Sequence, residues 1–252
     1  MPKRIHVIVI LTILTIALLG TPGGTHAAEI KVLSDSPLAP ALRRITDAFH
    51  RDSGHEVKFV FGLSPVIHKM VRDGETDDVI IIQPNFINDL VGAGKIVAGQ
   101  YPTIARVGIG VFTRADANAP DVSTVAAFKQ ALLDADALVF SNVAAGNYFA
   151  TVLERLGIAE AVKGKITRAS PPDVVARIVE GKGNDIGVMV VTLIIADKRL
   201  KLVGVLPSEF QSHLLYAAAP MVNSQAPEAA KEFIRFLALP QSKKEFVAAG
   251  AD

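Results

Sequence analysis

The stretch from Ile30 to Val57, IKVLSDSPLAPALRRITDAFHRDSGHEV, limits what this chain can become more than any other. It opens on a short apolar run, Ile30 to Leu33, and turns at the polar elbow Ser34-Asp35-Ser36-Pro37. A helical pattern follows, with Leu38, Leu42, Ile45 and Phe49 on one stripe and Ala41 and Ala48 beside it. Gly54 ends that pattern, and Glu56 to Phe61 opens a second extended run. The elbow therefore stands where a strand stops and a helix starts. A helix start presents N–H groups that have no partner inside the helix. The aligned peptide dipoles add partial positive charge. An oxyanion can be held there without Lys or Arg.

The alternation continues along the chain. Val57 to Phe61 reads as a buried strand, Gly62-Leu63-Ser64-Pro65 as a second elbow, and Val66 to Val71 as a short helix. Val79 to Ile82 is a β-branched run of the kind found in parallel strands covered on both faces. Strand followed by helix, three times over, predicts an α/β fold with mostly parallel sheets and helices on both faces. Ala105 to Thr113 is a further strand, and the polar break Ala115 to Ser123 is a place for the chain to cross between lobes. A third elbow, Ser141 to Gly146, leads into a helix through Tyr148, Val152, Leu153 and Leu156. Pro171-Pro172-Asp173 starts another helix, since Pro fits a first turn and an acid suits its positive end. Strands at Ile186 to Val191, Leu200 to Leu206 and Leu214 to Ala218 precede two closing helices, Pro227 to Leu237 and one after Pro240. The pattern implies two α/β lobes: residues 29–112, then 113–211, with 212–252 returning to the first.

The first 27 residues are expected to be an export signal. Lys3 and Arg4 form a basic start, Val7 to Leu19 is apolar apart from two threonines, and Thr25-His26-Ala27 supplies small residues for cleavage. The apolar core is shorter than the roughly 20 residues of a spanning helix, which favours a cleaved signal over the alternative of an uncleaved anchor. The charge of the remainder is close to neutral, so no basic surplus points to nucleic acid. The chain has no cysteine, which excludes disulfides, thiolate metal sites and a cysteine nucleophile. There is no Gly-x-Ser-x-Gly elbow, no His-Glu-x-x-His and no phosphate loop of Walker or dinucleotide spacing. His50, His55 and His68 sit on or beside charged helix faces and read as surface residues. No catalytic residue, cofactor or metal is therefore expected. What remains is three elbows of small and hydroxyl residues. Each could be an ordinary cap. Together they sit where ligands bind in open α/β sheets, outside the carboxyl ends of the strands.

IKVLSDSPLAPAL, FGLSPVIHKMVRDGETDDVII, AAGNYFATVLERLGI, VVARIVEGKGNDIGVMVV and PEAAKEFIRFLALPQSKKEF, in that order and spacing, resemble the periplasmic solute-binding proteins of ABC transporters, in the group that includes the molybdate-binding proteins. The resemblance implies a two-lobed, type II-like fold closing on one small ligand, an oxyanion such as molybdate or tungstate. It implies a periplasmic monomer that serves a membrane permease and performs no chemical step. In such proteins serine hydroxyls, backbone amides and a tyrosine hold the anion. Transferred to this chain, the first serine position falls on Pro37, with Ser34 and Ser36 nearby, and the second on Ser64. The backbone positions fall at Ala145, Gly146 and Asn147 and at Val174. The tyrosine position falls near Val190, where no tyrosine stands, and Asp35 replaces a small neutral residue. A carboxylate 4 Å from an anion costs about 4 kcal/mol per unit charge at an effective dielectric of 20. Asp35 thus either points away to cap the next helix or marks a different ligand. A relative that keeps the lobes but serves as a sensor or interaction module is the alternative reading.

Overall fold

The computed structural model describes residues 27–252. The expected export segment lies outside the described residues apart from Ala27. The first units are β1 (Glu29–Asp35), α1 (Ala39–Ser53), β2 (Glu56–Gly62), α2 (Ser64–Arg72), β3 (Val79–Ile82), α3 (Pro84–Gly92) and the long strand β4 (Thr103–Arg114). A single 3-10 turn, Ser36–Leu38, joins β1 to α1. Then come α4 (Val125–Asp134), β5 (Leu138–Ser141), α5 (Ala144–Arg155), α6 (Ala159–Val162), β6 (Ile166–Ala169), α7 (Pro171–Glu180), β7 (Ile186–Val190), α8 (Val191–Ala196) and β8 (Leu200–Val205). The chain closes with β9 (His213–Pro220), α9 (Pro227–Leu237) and α10 (Pro240–Ala248).

The expected parallel core is present twice. β1 pairs in parallel with both β2 and β3, so Asp35, Gly62 and Ile82 end on one edge. β5 pairs in parallel with β6 and β7, so Ser141, Ala169 and Val190 end on one edge too. Two antiparallel strands join these groups. β9 lies beside β3, and the first half of β4 lies beside β9. The second half of β4 pairs with β7 and β8. The boundary expected at residue 112 thus falls inside β4, a strand shared by both halves of the sheet.

The physical reasons are local. The stripe Ala41, Leu42, Ile45 and Phe49 of α1 is buried, as its spacing requires. Gly54 stops the helix with φ of 76°, a left-handed conformation that costs glycine least. Phe49 meets Phe233 and Phe236 at 5.1 Å, which docks α9 against α1. Asp78 fastens the same return. Its carboxylate accepts from Lys31 N (2.8 Å), Ser224 Oγ (2.6 Å), Gln225 N (2.8 Å) and Ala226 N (3.0 Å). Burial alone would raise its pKa, but these donors hold it below the ordinary carboxylate value. The 212–252 segment therefore packs beside β1 and β3.

Candidate functional site

The carboxyl edges of the two parallel groups face one hollow of about 320 Å3. Four helices of nine residues or more begin at it, and the short α8 follows Val190 on the same wall. α2 contributes Leu63 and Ser64, α3 contributes Gln83 and Asn85, α5 contributes Val143 to Ala145, and α7 contributes Pro171. The wall holds no Lys, Arg or His among the described residues; its titratable side chains are Asp35 and Tyr216 alone. Whatever positive potential the hollow has comes from backbone, as the elbow pattern implies.

The floor is built around Asp35, the last residue of β1, which is 2 % exposed. Its Oδ2 accepts from the Ser64 N–H at 3.2 Å and, at short range, from the Ser64 hydroxyl. Ser64 Oγ in turn accepts from the Gln83 N–H at 3.3 Å. Asp35 thus points into the site and occupies the start of α2. The other carboxylate oxygen, Oδ1, is buried without a hydrogen-bond partner, and so is the Tyr216 hydroxyl. Burial pushes the Asp35 carboxyl from 3.8 to about 6, against the opposing pull of the Ser64 hydrogen bonds and, least, of the Ser36 backbone N–H. Burial, and then the charge of Asp35, push Tyr216 well above its ordinary value.

The other wall is different. Ala144 and Ala145 open α5, where amides have no intrahelical acceptor. Gly146 N donates to Ser141 Oγ at 3.3 Å, and Asn147 N to Val143 O at 2.9 Å. Arg168 donates to Asn147 Oδ1 at short range, which leaves the Asn147 amide NH2 for the hollow. The start of α7 is poor in donors. Pro171 and Pro172 have no N–H, and Val174 N is taken by Ser170 O at 2.9 Å.

Among the residues expected to grip a ligand, Ser64, Ala145 and Asn147 line the hollow. Ser64 does so with its hydroxyl already committed to Asp35. Ser34 is buried, its hydroxyl 3.4 Å from the Asp35 carbonyl oxygen, and does not reach the wall. Ser36 bonds to Gly62 O at 3.1 Å and ties the 3-10 turn to the end of β2. Gly146 lies behind the wall because α5 presses on β5 there: a Cβ would stand 1.7 Å from the Ser141 carbonyl oxygen. Val174 is a fully buried core residue. Three polar members of the wall are not expected from the sequence: Gln83, which follows the apolar run of β3, Asn85 and Tyr216. Tyr216 sits in the apolar run Leu-Tyr-Ala-Ala-Ala of β9, where a lone phenol is the only signal. Asn85 sits one residue past Pro84 in α3 and resembles any helix-start amide. Val190 is on the wall, and the phenol the site does possess comes from β9, separated from β7 by the shared strand β4.

The family model for bacterial extracellular solute-binding proteins matches residues 30–252. A Pseudomonas protein named aconitate isomerase is 26 % identical over 223 residues, covering 85 % of this chain and 84 % of that protein. The periplasmic molybdate-binding protein of Azotobacter vinelandii superposes with a TM-score of 0.74 at 19 % identity, over 88 % of this chain and 98 % of that one. The sulfate-binding protein of Mycobacterium tuberculosis superposes at 0.67 with 20 % identity, over 89 % and 86 % of the two chains.

Proposed function

The chain belongs to the bacterial extracellular solute-binding proteins, and from that membership we propose that it is the receptor of an ABC importer. It is exported to the periplasm, closes as a monomer on one small anion, and passes that anion to a membrane permease. The observation that carries this reading is the convergence of four helix starts on a single hollow walled without cationic side chains. Such a wall holds an anion through amides and dipoles while staying weak enough to release it. β4 and β9 run between the two groups of parallel strands and are the natural hinge for closure. The ligand is an oxyanion of the molybdate kind or a small carboxylate. Calorimetry on the protein without its first 27 residues tests this, with molybdate, tungstate, sulfate, phosphate and a set of carboxylates. Heat from one class names it. Silence from every solute, with no thermal shift, overturns the receptor reading.

A second reading is supported by one arrangement. Asp35 has a free carboxylate oxygen and a pKa raised to about 6, and it shares the floor with Tyr216. That is how an acid–base pair is built. With the name of the Pseudomonas relative, it suggests an isomerase that moves a proton on an unsaturated polycarboxylate, with Asp35 as acceptor. Proton NMR of cis- and trans-aconitate in D2O decides it. Protein-dependent interconversion with deuterium uptake supports the second reading, and unchanged spectra remove it.

A further inference from the structure

Three side-chain atoms among the described residues are buried without a hydrogen-bond partner: Asp35 Oδ1, Tyr216 Oη and Thr192 Oγ1. Thr192 does not line the hollow, whereas Asp35 and Tyr216 both do, and both show water almost none of their surface. Buried polar groups in folded proteins are nearly always paired, so two orphans on one floor call for an explanation. One is an acceptor, the ionised carboxylate oxygen. The other is a phenol that can donate.

Resting on the receptor reading, we propose that the solute is a hydroxy acid whose hydroxyl bridges Asp35 Oδ1 and Tyr216 Oη while its carboxylate meets the start of α5. A hydroxyl has one hydrogen to give and lone pairs to accept with, which matches both orphans at once. The other candidate groups match only half. A fully ionised tetrahedral oxyanion can accept from Tyr216 but brings its charge against Asp35. The α2 start that could have received such an ion is already occupied by the Asp35 carboxylate and the Ser64 hydroxyl bonded to it. An ammonium group would suit Asp35 but has no lone pair for Tyr216. It would also enter a hollow ringed by the positive ends of four helices.

The far wall supplies the carboxylate site. The amides of Ala144 and Ala145 have no acceptor inside α5, and Asn147 keeps its NH2 because Arg168 takes its carbonyl oxygen. The hollow is also lined by Leu63, Phe86, Val143, Leu193 and Leu214, which suit a carbon skeleton rather than a bare ion. A hollow of about 320 Å3 also belongs with organic ligands of modest size.

The test is calorimetry at pH 8 on matched pairs differing by one hydroxyl: lactate with propionate, malate with succinate, citrate with tricarballylate. Aspartate serves as the amino counterpart of malate, and molybdate as the acceptor-only anion. At least one hydroxy acid should bind tenfold or more tighter than its deoxy partner, and aspartate should bind no better than malate. In Tyr216→Phe, shown by its melting curve to be folded, the preference should shrink to threefold or less. If that variant does not fold, the wild-type pairs decide the matter alone. Equal binding within every pair, tighter binding of aspartate, or binding of molybdate alone overturns the hydroxy-acid assignment and leaves the receptor reading standing. No binding of any probe overturns both.

Discussion

The two walls of the hollow start from the same architecture and end in different chemistry. Both are edges of parallel strands followed at once by helices, and both present helix starts. On the β1–α2 side the chain has filled its own anion position: Asp35 takes the amide and hydroxyl of Ser64, and Ser64 takes the amide of Gln83. On the β5–α5 side the first amides of the helix remain open, and neither β5 nor α5 places a carboxylate on the wall. A helix start is therefore not a binding site by virtue of being one. What decides is whether the chain already supplies the negative group. The filled wall has become a hydrogen-bond acceptor, and the open wall keeps the donor role.

The largest expected effect tests how rigidly the open wall is set. Gly146→Ala would place a Cβ 1.7 Å from the Ser141 carbonyl oxygen, against backbone that cannot rotate aside. Overpacking typically costs about 1–3 kcal/mol, and a clash with fixed backbone belongs at the upper end of that range. The variant should melt far below the wild type or fail to accumulate. A near-wild-type melting temperature would mean that α5 can slide on β5 and that the wall is not fixed.

Next comes the filled wall. The Asp35 carboxyl has a folded pKa of about 6 against an ordinary 3.8, so the folded state binds more protons across that interval. For a group of this sign, stability is highest below the lower value and falls as pH rises through the interval, by roughly 2–3 kcal/mol in all. Asp35→Asn should therefore raise the melting temperature at pH 7.5, by roughly 2 kcal/mol of stability, and gain little at pH 4. Melting curves across pH 4–8 test this. A variant that is less stable at pH 7.5 would show that the Asp35 charge is compensated after all.

Ser64→Ala comes third. It removes one buried donor to Asp35 and one acceptor for the half-buried Gln83 N–H, at a cost of about 1–3 kcal/mol by denaturant titration. It should also push the Asp35 pKa further up, because a hydrogen bond favouring the carboxylate is gone. If Ser64 held the solute directly, affinity would fall while stability held; the geometry points to the reverse.

The β-branched runs and helical stripes made the architecture legible, because burial on both faces of a parallel strand leaves no room for polar residues. Val79 to Ile82 and the α1 stripe are buried as their patterns require. The elbows were legible as helix starts for the same reason. Which groups at those starts remain open was not. Ser36 and Ser64 are both serines beside prolines, yet one ties the turn to Gly62 and the other holds a carboxylate. That choice depends on which strand ends lie side by side, and Asp35 opposite Gly62 is a fact of register. Tyr216 reaches the floor only because β9 runs beside β3, 134 positions after the end of that strand in sequence.

The smallest effect addresses α7, whose start adjoins the open wall but is poor in donors. Pro171 and Pro172 remove the first two N–H groups, and the Val174 amide is used by Ser170. Pro172→Ala would return one amide to the start of the helix without touching either wall. If open amides are what the β5–α5 side contributes, an added one should tighten anion binding about two- to fivefold, the range of a single charge–helix-end interaction of 0.3–1 kcal/mol. Losing a proline costs about 0.4–1 kcal/mol of stability through the freer unfolded chain. Affinity and stability would then move in opposite directions, which a general loosening of the helix could not produce. An affinity that falls together with the melting temperature would instead mean that Pro172 serves to hold α7 in place, and that donor count is not what separates the two walls.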